Sequence, residues 1–450
     1  MNRQEFIDKL FAAAKEAGIQ EYEAYFASSD DFSVEVLEGQ IKEYSVAASS
    51  GMCFRGVYEE KMGYASTEEF DEEAIEMLIH GVKENAMLIE TDDKESIFEG
   101  SSEYEKLDLY KEETASVPAA EKIQEALDME KHMMSLDKRV IRSEGCSYSS
   151  MVMEKRIVNS KGLDVNHKAA VLGAVAVPIV SEDGKVNYAY ELKYAFDKKD
   201  VDVKKIAEKA VESAISGLNA KSVPSGSYKV IFRHDVMTGL LATFSSVFSA
   251  ESARKGLSLL KDKEGEKIAS DAVTVIDDPL MEGGFASCPF DAEGVAAKTK
   301  VVVGEGVLHT LLHNRKTAQA MGKETTGNAS KAGYAAPVVV APSNFYLKAG
   351  EKSFDELVTE VGDGLLITDL MGMHSGANQV SGDFSLGAKG FLIENGKVTS
   401  PVEQITVADN FFKLMKKVLF VASDLEFRPG LSTSIGAPSV YVESISVAGK

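Results

Sequence analysis

The sequence predicts an α+β protein of two domains, and three observations support this prediction. The chain has 450 residues, too many for one ordinary hydrophobic core. Helical and β-type patterns follow one another in blocks, which disfavours a doubly wound parallel sheet. A short Ser/Pro/Gly stretch, NAKSVPSGS, lies near the middle of the chain. We therefore expect an N-terminal domain over residues 1–222 and a C-terminal domain over residues 223–450.

Long helices are predicted in the N-terminal domain from apolar residues at helical spacing. The first opens the chain and ends at Gly18. Others are predicted over residues 68–90, 118–136 and 203–218. The second has carboxylates in its first turn, where the helix dipole favours them.

The same domain is predicted to hold an antiparallel sheet. Aromatic and β-branched residues between 22 and 67 predict a meander that is broken at Gly39, Gly51 and Gly63. Further strands are predicted from residue 140 onward, with a hairpin turn at Asp183-Gly184. Beyond residue 223 short strands and Gly turns dominate, so the C-terminal domain is predicted to be β-rich with few helices.

The composition indicates a folded, soluble protein and disfavours several classes of partner. Apolar residues make up 44% and charged residues 27%, which is typical of globular proteins. A net charge of −22 repels phosphate backbones and anionic lipid heads. The first 20 residues lack the apolar core of a signal peptide, and no run of 18 apolar residues occurs. We expect a cytoplasmic protein that binds neither nucleic acid nor membrane directly.

Histidines are the first candidates for a metal site. His309 and His313 lie four residues apart, the spacing of two ligands on one helical face. Their flanks are β-branched, and on a strand their side chains would lie ~13 Å apart, so we expect a strand-end or surface role. His234 and Asp235 directly follow a predicted strand, where such a pair more often caps a helix, with Asp235 accepting backbone N–H groups.

Other catalytic motifs find little support. Cys53, Cys146 and Cys288 are an odd number of cysteines without a C-x-x-C pair, which indicates a reducing compartment. Cys53 and Cys288 are predicted to be small buried groups rather than activated thiolates. Neither a G-x-S-x-G elbow nor a P-loop occurs in the sequence.

Glycines and small polar residues are concentrated in three stretches of the C-terminal domain. These are TTGNAS (325–330), MHSGANQVSGDFSLGAKGFLIENGKV (373–398) and FRPGLSTSIGAPSV (427–440). Tight turns explain part of the pattern, since IENGKV is a plain Asn-Gly hairpin. The alternative is a groove floor that receives an extended peptide by strand addition, because glycine lets two backbones approach closely. The residues alone leave both interpretations open.

Several stretches, in order along the chain, resemble the TldD/PmbA family, formerly called modulators of DNA gyrase. They are PFDAEGV (289–295), GVLHTLLHNRKTA with the following TTGNA, SGDFSLGAKGFLIENGKV, PVEQITVADN (401–410) and the closing SVYVESISVAGK. The resemblance covers nearly the whole chain and is strongest in the C-terminal domain. It implies a two-domain α+β protein from a family of cytosolic heterodimeric metalloproteases that trim unfolded or extended peptides.

In that family, the TldD subunit type binds zinc through an H-E-x-x-x-H helix and a cysteine near the C-terminus. The TldE (PmbA) type lacks these ligands and pairs with it. The resemblance assigns the positions of the first His, the Glu and the second His to Ala242, Thr243 and Val247. The loop ASDLEFRPGLSTSIGAPS holds no cysteine. None of these side chains binds zinc or activates a zinc-bound water, so the chain resembles a TldE/PmbA-type subunit.

The leading hypothesis is a non-catalytic subunit that contributes half of an enclosed peptide channel. We expect no catalytic residue, metal or cofactor in this chain, and zinc in a TldD-type partner. The candidate groove residues are His374, Asn378, Asp383 and Ser385, with turn stabilisation as the alternative role; Asp383 in particular would close an Asx-turn. The expected partners are the zinc subunit and a peptide substrate, and homodimerisation of the isolated chain stays open.

Two other functions stay open. One is a stand-alone metallopeptidase whose rearranged metal site is built from His234, Asp235 and His374. The other is a regulator without proteolysis, of the DNA gyrase modulator type. For that role the acidic balance favours a basic protein surface over DNA.

Overall fold

The N-terminal domain is built on one antiparallel sheet. The computed structural model describes residues 1–90, 93, 95–430 and 432–450. The elements of this domain are α1 (Arg3–Glu16), β1 (Glu21–Leu37), β2 (Gln40–Tyr58), β3 (Lys61–Thr67), α2 (Glu72–Met87), α3 (Glu112–Ala115), α4 (Ala119–Ser135), β4 (Val140–Asn159), β5 (Asp164–Glu182), β6 (Lys185–Tyr188), β7 (Glu191–Ala195) and α5 (Val203–Ser216). The strand order is β3-β2-β1-β4-β5-β6, and β7 also pairs with β5.

The predicted long helices and the Asp-Gly hairpin are confirmed, with helix ends shifted by a few residues. The helix predicted over 68–90 is shorter, because the side chain of Asp71 accepts the N–H of Ala74 and so caps its start. Asp183 and Gly184 both have positive φ, the conformation of a two-residue hairpin turn.

The turns predicted at Gly51 and Gly63 are wrong, since both glycines lie inside strands. The second turn of the meander falls instead at Glu59 and Glu60. A Cβ at Gly51 would overlap the ring of Tyr334, and one at Gly63 would overlap the carbonyl oxygen of Val82. These glycines therefore allow close approach of other segments to the sheet rather than a reversal of the chain.

Alternation of side chains along β1 gives the sheet two different faces. Phe26 packs with α1 and α2, and Val34 packs with α4 and α5. Tyr25 points to the opposite face and packs in a cluster with Phe290 of the C-terminal domain. One face of the sheet thus carries the helices, and part of the other contacts the second domain.

The C-terminal domain is β-rich, as predicted. Its elements are β8 (Gly226–Phe232), α6 (His234–Phe244), α7 (Ala250–Arg254), β9 (Val275–Asp277), β10 (Lys300–Gly304), β11 (Val307–Leu308), α8 (Arg315–Met321), β12 (Ala329–Ser330), β13 (Val339–Val340), β14 (Asn344–Leu347), α9 (Phe354–Val361), β15 (Gly364–Met371), α10 (Met373–Gly376), β16 (Asp383–Glu394), β17 (Lys397–Asn410), α11 (Phe411–Lys416), β18 (Val418–Val421), β19 (Glu426–Arg428), β20 (Ser434–Ala437) and β21 (Val440–Ala448). The domain boundary predicted between residues 222 and 223 falls between α5 and β8 and stays a prediction.

A closed barrel forms the centre of this domain. The pairings β17-β16-β15-β8-β21 return to β17, and β18 adds to β21 outside the ring. A second sheet has the order β11-β10-β9-β14-β20-β19. Helix α6 lies in the core between them, and its Leu240, Leu241 and Phe244 are buried with residues of both sheets. The described helices include none that is long and apolar enough to cross a membrane.

Candidate functional site

An open cleft of ≈ 720 Å³ lies where β15 passes into β16, and all four candidate groove residues line it. The chain leaves β15 through Gly372, whose positive φ of 83° turns it into the short helix α10. It then forms the turn over residues 378–382 and enters β16. The four candidate residues lie together because they belong to the single segment that connects β15 to the start of β16: His374, Asn378, Asp383 and Ser385. Their role in peptide binding stays a prediction.

Two of these residues hold the turn itself. The side-chain oxygen of Asn378 accepts the N–H groups of Val380 and Ser381 at 3.0 and 3.1 Å. Asp383 accepts hydrogen bonds from the hydroxyl of Ser381 at 2.8 Å and the amide of Asn410 at 2.9 Å. Both bonds lower the pKa of Asp383, and the bond from Asn410 has the larger effect. Asn378 therefore closes the Asx-turn. The expectation that Asp383 closes it is wrong.

His374 and Ser385 offer their polar groups to the cleft. Both are exposed, and neither side chain has a hydrogen bond or ion pair with another described residue. His374 lies on α10 and Ser385 on β16. The structure thus separates the four candidates into two that build the turn and two whose side chains are available to a ligand.

The positions that the family resemblance assigns to the zinc motif lie at the end of α6. Ala242 and Thr243 are in its last turn and partly exposed, whereas Val247 lies in the following 3₁₀ turn and is fully buried. Methyl, hydroxyl and isopropyl groups supply none of the imidazole, thiolate or carboxylate ligands that zinc requires. The residues present at these positions do not fit a zinc ion.

Met373 connects these positions to the cleft. The hydroxyl of Thr243 lies 3.2 Å from the sulfur of Met373 and 2.8 Å from the carbonyl oxygen of Gly239. A Cβ at Gly239 would lie 3.2 Å from the terminal methyl of Met373. Met373 itself lines the cleft. The end of α6 and the open cleft therefore share one wall.

The rearranged metal site is not assembled. Among the described residues, no three His, Cys, Asp or Glu side chains are grouped so that they could hold a metal ion. Asp235 pairs instead with Arg233, through contacts of 2.8 and 2.6 Å. Asp235 was expected at the helix cap but lies in the first turn of α6, where it accepts the N–H of Val236. The backbone N–H of His234 donates to the hydroxyl of Ser439.

His309 and His313 have different surroundings, and the expectation that they share no ion stays a prediction. His309 follows β11 and is exposed, whereas His313 precedes α8 and is 1% exposed. Neither ring nitrogen of His313 has a hydrogen-bond partner among the described residues. Burial lowers its pKa, so the ring is neutral near pH 7. The expected strand-end or surface role applies to His309 and is wrong for His313.

The TTGNAS stretch serves a buried polar network. Asn328 donates to Asp277 at 2.7 Å and to the carbonyl of Ala341 at 3.1 Å. Lys300 donates to both Asp277 and Asn328, at 2.8 and 3.2 Å. Asp277 is fully buried, so this network balances its charge. In the FRPGLSTSIGAPSV stretch, Leu431 lies outside the described residues.

A second buried network, which the sequence analysis did not predict, joins the two domains. Glu23 on β1 pairs with Arg55 on β2 at 2.7 Å, and both side chains are almost fully buried. Arg55 also lies 3.9 Å from Glu293 of the C-terminal domain. Glu293 accepts the backbone N–H of Arg315 at 2.8 Å. Charged residues on strands ordinarily face solvent, so only tertiary structure reveals this network.

Comparisons with known proteins agree with this architecture. Family models described as PmbA/TldA metallopeptidase match in three parts: domain 1 over residues 22–86, the central domain over 112–218 and the C-terminal domain over 225–449. A metalloprotease PmbA homolog from Haemophilus influenzae is 29% identical over 399 residues, which cover 87% of this chain and 84% of that protein.

Solved structures share the whole fold. The crystal structure of a proposed modulator of a DNA gyrase from Thermotoga maritima is 34% identical, has a TM-score of 0.92 and matches 99% of this chain and all of its own. TldE from Thermococcus kodakarensis, at 22% identity and a TM-score of 0.90 over 99% of this chain and all of its own, shows the same fold. The family models together span most of the sequence, and the chain therefore belongs to the PmbA/TldD metallopeptidase family.

Proposed function

We propose that this chain is the non-catalytic, TldE-type subunit of a cytoplasmic TldD/TldE-type metallopeptidase. The observation that carries the proposal is the identity of Ala242, Thr243 and Val247 at the positions of the zinc motif. Zinc would then reside in a TldD-type partner. This chain would hold an unfolded or extended peptide beside it.

The open cleft supports the peptide-holding role. It is large enough for several residues of an extended chain, and one wall is the first part of β16, from Asp383 to Ser385. His374 and Ser385 offer polar groups there, and Met373 offers an apolar surface. Ligand sites of this kind combine apolar walls with a few polar groups that fix orientation. The shared wall at Met373 would bring a bound peptide close to the helix that carries zinc ligands in TldD-type subunits.

Reconstitution with a zinc-bearing TldD-type chain tests the proposal. We expect neither chain alone to match the mixture in cleaving an unstructured peptide. His374→Ala and Ser385→Ala should raise the KM of the mixture for that peptide, because the altered side chains contact substrate and not the metal. His80→Ala is the matched control, since His80 is an exposed histidine on α2. Full peptidase activity of this chain alone would refute the proposal.

Regulation without proteolysis is the second candidate function. The relative from Thermotoga maritima, described as a proposed modulator of a DNA gyrase, favours it. Binding of purified gyrase in the absence of any TldD-type chain, with a measured change in supercoiling, would support this function instead. The net charge of −22 predicts contact with a basic protein surface and not with the DNA.

A further inference from the structure

A second cavity, of ≈ 70 Å³, lies between the two domains. Its N-terminal side is the free face of the sheet, where Tyr25, Lys155 and His167 stand on the neighbouring strands β1, β4 and β5. Lys155 pairs in register with His167, so the two side chains share this face. The opposite side is made by loops of the C-terminal domain, which contribute Cys288 and Lys331.

Lys155 and Lys331 bring two amino groups to this cavity without a carboxylate partner. Burial lowers the pKa of Lys331, and its contact with Cys53 opposes that change. Lys331 is 6% exposed, and its ammonium lies 5.0 Å from the centre of the Tyr25 ring. Neither lysine has a carboxylate within ion-pair distance in the part of the chain that the structure describes. Glu23 is the acidic neighbour of Lys331, but that carboxylate is already bound by Arg55.

The other groups that line the cavity do not neutralise the two lysines. Burial raises the pKa values of Tyr25 and Cys288, so both are uncharged near pH 7. For Lys155, burial acts to lower the pKa, and only the ionised forms of Tyr25 and Cys288 act to raise it, so near pH 7 these two neutral groups give its ammonium no counter-charge. Burial, with Lys155 adding to it, lowers the pKa of His167 to about 4, so its imidazole is neutral, and its one N–H is used in a hydrogen bond to the backbone of Ser287.

Asp291 is the remaining acidic group in the cavity wall. Its oxygens accept the backbone N–H groups of Glu293, Val295 and Ala329 at 2.8, 3.1 and 3.0 Å. Burial and the neighbouring Glu293 raise its pKa, so the carboxyl group carries only part of a charge at neutral pH. It cannot balance two ammonium groups.

An uncompensated buried charge is costly, and a protein with a net charge of −22 has no shortage of carboxylates with which to pair a lysine. We propose that the interdomain cavity is a binding site for a small oxyanion, held between Lys155 of the N-terminal domain and Lys331 of the C-terminal domain. The hydroxyl of Tyr25 supplies a neutral hydrogen bond to it.

The size of the cavity sets the class of ligand. A water molecule needs roughly 10–15 Å³ of such volume, so the cavity of ≈ 70 Å³ accommodates about five non-hydrogen atoms. Inorganic phosphate and acetate are of this size, and a peptide is not. Because its two lysines come from different domains, the anion would also hold the domains together.

Calorimetric titration of the full-length chain with inorganic phosphate, and separately with acetate, tests this site. We expect saturable binding of one anion per chain, about tenfold or more weaker in Lys155→Met and in Lys331→Met. Lys193→Met is the matched control, because Lys193 is an exposed lysine on β7 of the same sheet. The relative affinities of phosphate and acetate identify the preferred oxyanion.

Thermal unfolding shows whether a variant loses anion binding because it folds poorly or because it lacks the lysine. In anion-free buffer, Lys155→Met should unfold at the same temperature as the parent chain or higher, because it removes an uncompensated charge. Phosphate should raise the unfolding temperature of the parent chain and not that of the variant. Absence of saturable binding for both anions, or equal affinity in Lys155→Met, would overturn the proposal.

Discussion

The hydroxyl of Thr243 lies 3.2 Å from the sulfur of Met373. The family resemblance assigns Thr243 to the position of the glutamate in the zinc motif, and Met373 is a wall of the open cleft. The end of α6 therefore contacts one wall of the candidate substrate groove. A change at this contact should alter peptide handling without touching a metal.

Gly239→Ala is expected to separate stability from peptide handling. The added methyl would lie 3.2 Å from the end of the flexible Met373 side chain, which can move by the small distance required. Alanine is favoured over glycine in a helix by about 1 kcal/mol, so the free energy of unfolding should stay the same or rise. Displacement of Met373 into the cleft should lower the peptidase activity of the reconstituted pair.

The double variant Gly239→Ala/Met373→Ala is the control for this prediction. It removes the displaced side chain and should restore part of the activity. Unfolding in urea and peptidase rates of the pair measure the two effects. A single variant that is destabilised by more than ~2 kcal/mol would show that the contact is rigid and would contradict the prediction.

Val247→His should destabilise the chain by about 2–4 kcal/mol. Val247 is fully buried among apolar residues, and an imidazole there is larger and lacks a hydrogen-bond partner. Ala242→His should cost less than ~1 kcal/mol because Ala242 is partly exposed. Urea denaturation of the two variants measures the difference. Equal stability of both would mean that the core around Val247 is able to reopen into a ligand site.

Arg55→Met should lower the free energy of unfolding by about 3–5 kcal/mol. Glu23 is 1% exposed and would be left as an unpaired buried carboxylate. Adding Glu23→Gln should recover part of the loss, since it removes that charge. Lys255→Met, which breaks an exposed pair with Glu251, should change stability by no more than about 0.5 kcal/mol. A similar effect of the two single variants on the urea midpoint would contradict the role given to the buried pair.

Stability should fall as the pH is lowered from about 6.5 towards 4, in part through His167. Burial, together with Lys155, lowers the pKa of His167 to about 4, whereas in the unfolded chain it is about 6.5. The unfolded chain therefore binds the proton first, and stability present above pH 6.5 is lost through this window. His167→Gln should reduce the pH dependence there by up to ~1.4 kcal/mol per pH unit, and His80→Gln should not. Parallel curves for His167→Gln and the parent chain would refute this assignment.

Local patterns predicted the elements whose cause is local. The Asn-Gly hairpin is confirmed, since Asn395 and Gly396 both have positive φ between β16 and β17. Gly51 has the same appearance in the sequence as a turn glycine, yet it faces Tyr334 from far along the chain. Such a requirement for space is set by packing between domains, which no short window of sequence contains.

In the candidate cleft, too, the local features were predictable from the sequence and the contacts between distant segments were not. His374 and Ser385 lie close in sequence, so a single excursion of the chain brings them together. The contact of Met373 with Thr243 joins two segments that are distant in sequence, and the residues alone do not indicate it. The network of Glu23, Arg55 and Glu293 was not predictable for the same reason, because each residue by itself looks like a solvent-facing charge.

Zinc content tests the central claim most directly. Metal analysis by mass spectrometry should be performed on this chain alone, on a TldD-type chain alone and on their purified complex. We predict no stoichiometric zinc in this chain and one zinc per pair in the complex. Substitution of Ala242, Thr243 or Val247 should leave the zinc content of the complex unchanged. One zinc bound per molecule of this chain alone, and lost with His374→Ala, would contradict the account.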